Sequence, residues 1–187
     1  MIQNALVFIK KKLDQYLVNS FELDESITVL NHLVEQDGSF PQKNQNKIVI
    51  TLINLDYQTH KQFNTNHQRL DDNSFAKINT PVQFNMDVLC TASFDDYEEA
   101  LKFLNATINF FQNYYSFNNK TNPDIPDGIQ QLSLEIANSS YFETHNLWNA
   151  MGAKYQPSII YKVRQVAIQS HDVKAFVTQS SGNKVGM

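Results

Sequence analysis

Between Pro81 and Ser93 the chain places an apolar side chain at alternate positions: Val82, Phe84, Met86, Val88, Cys90 and Ala92. A period of two belongs to a strand, because successive side chains leave a pleated backbone on opposite faces. No helix can gather these six on one side. The run therefore commits the chain to a sheet with a buried face, and Pro81, having no amide hydrogen to give, suits the start of a strand. Lys47 to Leu55 (KIVITLINL) reads differently, being β-branched and apolar at nearly every position. That is the look of a central strand covered on both sides.

Helical spacing frames these strands. Ile2, Ala5, Leu6, Ile9, Leu13, Tyr16 and Leu17 fall on one face of a first helix, with Lys10, Lys11, Lys12 and Asp14 largely off it. After the long strand, Ser93 and Asp96 have the three-residue spacing of a capping box, and Glu98 and Glu99 place negative charge near the positive helix end. Apolar residues then recur at Tyr97, Leu101, Leu104, Ile108, Phe111 and Tyr115, with a second stripe at Phe103, Phe110 and Tyr114. An apolar arc that wide predicts a helix packed on a sheet on one side and on something else on another. Leu147, Trp148 and Met151 mark a third helix over 143–151, which Ser139-Ser140 caps and Gly152 stops.

Further strands are expected at Ile27 to Leu30, at Leu132-Leu134-Ile136, and from Ser158 to Gln169 after Pro157. Gln36-Asp37-Gly38-Ser39 and Asn118 to Gly128 carry turn signals. Residues 56 to 80 are polar, Asn-rich and without a period, which predicts a long loop. The residues past Gln169 read as a flexible arm. The whole is an α/β (α+β) single domain over 1–171, a mixed, mostly antiparallel sheet with packed helices, followed by a flexible C-terminal tail at 172–187.

The charge balance argues against a nucleic-acid partner. Net charge is −4 and the pI is about 5.7, whereas a phosphate-backbone binder draws its affinity from a basic excess. The N-terminus places its lysines after its apolar residues, unlike a secretory signal, and no apolar stretch reaches the roughly 20 residues of a membrane span. The expectation is a soluble, cytoplasmic product with no membrane insertion.

Chemistry is equally sparse. The single cysteine, Cys90, sits inside the alternating run, where it reads as a buried small hydrophobe. His32, His60, His67, His145 and His171 are scattered, without metal-ligand spacing. The pairs Asp71-Asp72, Asp95-Asp96 and Glu98-Glu99 are adjacent residues that diverge on any regular element, and no phosphate loop, nucleophile elbow or dinucleotide fingerprint is present. No catalytic, cofactor or metal residues are assigned. An alternative is a small-ligand or metal-binding enzyme using the His60/His67 loop.

Three stretches together carry a family resemblance: MIQNALVFIKKKLDQYL with the later VEQDGS, then PVQFNMDVLCTASFDDYEEALKFLNATINFFQ, then LWNAMGAKYQPSIIYKVRQVAI. Over about residues 1 to 170 the chain resembles the cap, or tail-terminator, proteins of extracellular contractile injection systems, the Photorhabdus virulence cassette and antifeeding prophage type. The resemblance implies a tail-terminator-like fold and a structural role without catalysis. It implies a six-fold ring of identical subunits, or one shared with a cap paralogue or adaptor, that ends the inner tube and holds the last sheath layer. The subunit would assemble in the cytoplasm and then form part of a particle, released or anchored; a baseplate or adaptor component of the same particle is the runner-up. Many relatives continue into a further C-terminal region, and the 56–80 stretch is more polar than the resemblance leads one to expect. Candidate contacts with neighbouring subunits or sheath are His60, Phe63, Arg69, Leu70 and Phe75 in the polar stretch, and Val173 and Phe176 in the tail.

Overall fold

A computed structural model describes residues 1–58, 66–69, 75–78, 82–168 and 173–177. Helix α1 (Ile2–Phe21) leads into strand β1 (Thr28–Leu30), a 3-10 turn at Gln42–Asn44, and strand β2 (Lys47–Tyr57). Two short strands follow, β3 (Asn66–Arg69) and β4 (Phe75–Ile78), before β5 (Val82–Ser93) and helix α2 (Tyr97–Asn113). The remainder is β6 (Ser116–Asn118), β7 (Gln131–Ile136), helix α3 (Tyr141–Ala150), β8 (Ser158–Ile168) and β9 (Val173–Val177).

Six strands form the main sheet in the order β1-β2-β5-β8-β7-β6. Only β1–β2 is parallel; every other pairing in this sheet is antiparallel. The mixed, mostly antiparallel α/β domain expected from the sequence is what forms. The alternation of β5 sorts its side chains as a strand must. Met86, Val88, Cys90 and Ala92 join Ile48, Ile50, Leu134 and Val163 beneath α1 and α2, while Leu89 and Val49 face Trp148 of α3 on the other side. Full burial of one such aliphatic side chain contributes about 1.5–3 kcal/mol, so this face supplies most of the stabilisation.

α1 and α2 meet through aromatic rings. Tyr16 lies 5.1 Å from Phe110 and Phe21 4.6 Å from Phe103, while Phe8 of α1 packs edge-on to Phe117 of β6 at 5.4 Å, centroid to centroid. The stripe Phe103–Phe110 is thus the core side of α2, together with Ala100, Thr107 and Phe111.

Several boundaries differ from the sequence-based expectation. Asp96, not Ser93, is the N-cap of α2: its carboxylate accepts from Glu99 N at 2.8 Å, while Ser93 is buried as the last residue of β5, paired with Lys47. The strand runs longer than its apolar pattern because pairing with β2 continues through the polar residue. α3 starts at Tyr141, with the reciprocal capping box on Ser140 and Glu143. Tyr115 lies beyond α2, and its carbonyl accepts from Leu134 N at 2.7 Å, starting the unforeseen edge strand β6. The polar 56–80 stretch, expected to be a loop, contains β3 and β4, and the region past Gln169 contains β9.

One carboxylate fastens α1 to the sheet edge. Asp14 Oδ1 accepts from Ser26 Oγ (2.9 Å), Ile27 N (3.0 Å), Thr28 N (2.9 Å) and Thr28 Oγ1 (2.8 Å), and Lys10 Nζ stands 3.7 Å from Oδ2. Burial by itself would raise this carboxyl, but the Thr28 and Ser26 hydrogen bonds and the Lys10 charge outweigh it and hold Asp14 below its ordinary 3.8. Its stabilisation is therefore fully present above 3.8 and is lost as pH falls through the lower folded-state value. Asp14→Ala should cost about 2 kcal/mol near neutral pH, measured by urea unfolding. The gap between variant and parent should close as the pH drops below 3.8; an equal penalty in strong acid would contradict this account.

Candidate subunit interface

The expected contact residues are partly gathered by topology. β3, β4 and β9 form a second sheet in that order, all antiparallel. Arg69 on β3 stands opposite Phe75 on β4, Ala76 opposite Phe176 on β9, and Ile78 opposite Val173. Four of the seven, Arg69, Phe75, Val173 and Phe176, thus share one small sheet although they lie about a hundred residues apart in sequence. His60, Phe63 and Leu70 lie outside the described residues. The chain connections explain the meeting: β4 leads directly into β5 and β9 follows directly from β8, and β5 and β8 are already paired out to Val82 and Ile168.

A second feature is the outer side of α2. Tyr97 and Leu101, one turn apart, are exposed, and Leu104 and Ile108 continue the stripe half-buried. The wide arc read from the sequence is therefore part core and part surface.

The third feature lies across the sheet, where α3 is the only α-helix among the described residues. Beside it the face is polar: Lys162 Nζ stands 3.5 Å from Asp87 and 3.7 Å from Asp56, and Arg164 pairs with Glu135 at 2.8 Å. Asn54 Nδ2 donates to the other Asp87 oxygen at 3.0 Å. On the other side of α3, Trp148 is buried next to a hollow of about 310 Å³ that includes Leu33, Phe40, Ala153 and Gln156 in its wall. Trp148 Nε1 and Gln156 Oε1 are buried and have no hydrogen-bond partner among the described residues. Tyr155, edge-on to Trp148 at 5.4 Å, and Tyr141 stand exposed at a neighbouring hollow. No local sequence signal marks this hollow, because its wall joins two stretches, 33–40 and 148–156, that are far apart along the chain.

Burial pushes the Cys90 thiol up to about 12, leaving no thiolate near neutrality. Burial, with Cys90 close by, also pushes the Tyr161 phenol up. Among the described residues no three His, Cys, Asp or Glu side chains come together to hold a metal ion. No described helix is long and apolar enough to cross a membrane.

Residues 7–179 match the family defined by the Pvc16 N-terminal domain. The chain belongs to that family. Two solved structures share the fold of this Pvc16 N-terminal domain. One is the sheath/tube terminator, in its extended state, of the extracellular contractile injection system PVC, with TM-score 0.61 and 14% identity over 97% of this chain and 62% of that one. The other is the tube-terminating cap of the anti-feeding prophage, with TM-score 0.64 and 15% identity over 100% of this chain and 60% of that one. The chain thus spans about three-fifths of the length of each. No curated protein matches it.

The pairing of β4 with β9 yields a direct check. Backbone amides bonded within 173–177 should exchange with deuterium at least about tenfold more slowly than in a free peptide, equivalent to ~1.4 kcal/mol of protection. Free-peptide rates throughout this strand would contradict the second sheet.

Proposed function

We propose that this Pvc16 N-terminal domain is the structural cap of a contractile injection particle and not an enzyme. It ends the inner tube and holds the last sheath layer, as one member of a six-fold ring. The observation that carries this reading is the shared fold: essentially the whole chain superposes on two proteins described as tube terminators. The partners are further copies of the chain, a cap paralogue or adaptor in a mixed ring, and the sheath and tube subunits. Assembly takes place in the cytoplasm, without nucleic acid or membrane insertion.

Within this reading the second sheet supplies sheath or neighbour contacts. Arg69, Phe75, Val173 and Phe176 lie on it, and His60, Phe63 and Leu70 belong to the same polar segment of the chain. A sheet of short strands has unpaired edge groups to offer a neighbour, and main-chain pairing gives affinity without demanding apolar side chains.

Particles assembled without this chain test the proposal. By electron microscopy they should show a broad distribution of lengths, or frayed and unstable ends, restored by supplying the chain in trans. Particles of unchanged length with intact ends would overturn the reading.

A further inference from the structure

The face of the main sheet away from α1 and α2 is covered by a segment scarcely attached to it. Residues 138–156 leave the end of β7 and return at the start of β8, with α3 in between. Trp148 is the one buried residue among them; Thr144 and Leu147 are half-buried and the rest of α3 is exposed, Tyr141 at 90% and Phe142 at 70%. Hollows of about 310 and 490 Å³ lie beside the helix, so its flanks are not packed either.

Hydrogen bonding follows the same division. Ser140 and Glu143 bond each other's backbone at 2.7 and 3.3 Å, and Asn149 Nδ2 meets His145 Nε2 at 2.9 Å. Gly152 N and Ala153 N donate back to the carbonyls of Asn149 and Trp148. All of these bonds stay inside the segment. Among the described residues no hydrogen bond or ion pair crosses from 138–156 to the rest of the chain. The bonds that do reach the sheet stand just outside it: Ala137 N donates to Ile160 O, and Ala92 N to Pro157 O, each at 2.9 Å.

We infer that residues 138–156 form a hinged flap, latched by the Trp148 side chain, that opens as a unit while the sheet and its α1–α2 face stay folded. β7 and β8 are neighbours in the sheet, with Ile136 opposite Tyr161. The segment is therefore an excursion from a hairpin whose two ends already lie together, and its departure breaks no strand pair. What closes it is the indole, packed with Leu33 from the connection between β1 and β2, Val49 of β2 and Leu89 of β5. Opening bares the buried Val49 and Leu89, and so turns a closed apolar strip of the sheet into an accessible one.

α1 and α2 have no such freedom. Asp14 ties α1 to Ile27 and Thr28 by hydrogen bonds, and paired rings join the two helices. A segment with few buried contacts opens at a lower free energy than the domain unfolds. The inference goes beyond the cap reading and does not depend on it.

Hydrogen exchange of the full chain, followed peptide by peptide, tests the flap. A helix of ten residues is marginal in water once undocked, so its amides report opening. The hydrogen-bonded amides of α3 should exchange at least about a hundredfold faster than those of β5, yet at least about tenfold more slowly than in a free peptide. Leu33→Ala trims the latch from outside the segment and should speed α3 exchange at least about tenfold. Should that variant fail to melt cooperatively, the milder Leu33→Val serves, with a several-fold rise. Ile9, on α1, is buried on the opposite face. Ile9→Val should speed β5 exchange several-fold and leave α3 unchanged, because it weakens the open and closed states of the flap alike. α3 and β5 exchanging at one rate in the parent, α3 indifferent to the Leu33 variants, or α3 accelerated by Ile9→Val as much as β5 would each overturn the flap. Free-peptide rates throughout α3 in the parent would overturn it too, since no closed state would then exist.

Discussion

The long antiparallel pairing of β2, β5 and β8 carries everything else in this molecule. β5 pairs with β2 from Phe84 to Ser93 and with β8 from Val82 to Thr91, with one register shift in each ladder, at Leu52/Asn54 of β2 and at Phe84/Met86 of β5. Because side chains alternate along a strand, fixing this register also fixes what faces each side. Met86, Val88, Cys90 and Ala92 are delivered to the helices α1 and α2, and Asp87, Leu89 and Thr91 to the other face. A one-residue slip would bury Asp87 and expose Met86. The same ribbon, continued by the chain past Val82 and Ile168, brings β4 and β9 together and so creates the second sheet.

The two faces of the main sheet are closed to different degrees. Two helices, locked by ring contacts and by the Asp14 carboxylate, cover one face with a dense aromatic and aliphatic core. Among the described residues the other has the ten-residue helix α3, held by its Ser140–Glu143 capping box, and beside it a set of ion pairs between neighbouring strands. Surface ion pairs contribute little stability. Their effect is to keep that part of the sheet polar, which leaves the apolar hollow beside Trp148 as a defined patch. Stability is concentrated on one side and the features available for recognition on the other and along the outer edge of α2.

The sequence disclosed the core well, since periodicity is a local signal that burial reinforces. The alternation of β5, the buried face of α1 and the α3 cap at Ser140 all stand where the residue pattern puts them. The core side of α2 was harder: two stripes are apolar, and only the position of α1 decides that Phe103 and Phe110 face inward while Tyr97 and Leu101 do not. β3 was not legible at all, because Asn66-His67-Gln68-Arg69 has no apolar residue to alternate and is held by backbone bonds to β4. β9 was hidden for a related reason, its partner β4 lying about a hundred residues upstream. The Trp148 hollow joins two distant segments, 33–40 and 148–156, and long-range assembly leaves no trace in local spacing.

The proposed cap role is positional: it places this chain at the end of an injection particle, on tube and sheath. A reconstruction of intact particles tests it most directly. The account predicts density at the end away from the baseplate that accepts the six-stranded sheet with α1 and α2 on one face and α3 on the other. Density for the chain within the baseplate, along the shaft, or at neither end would contradict it.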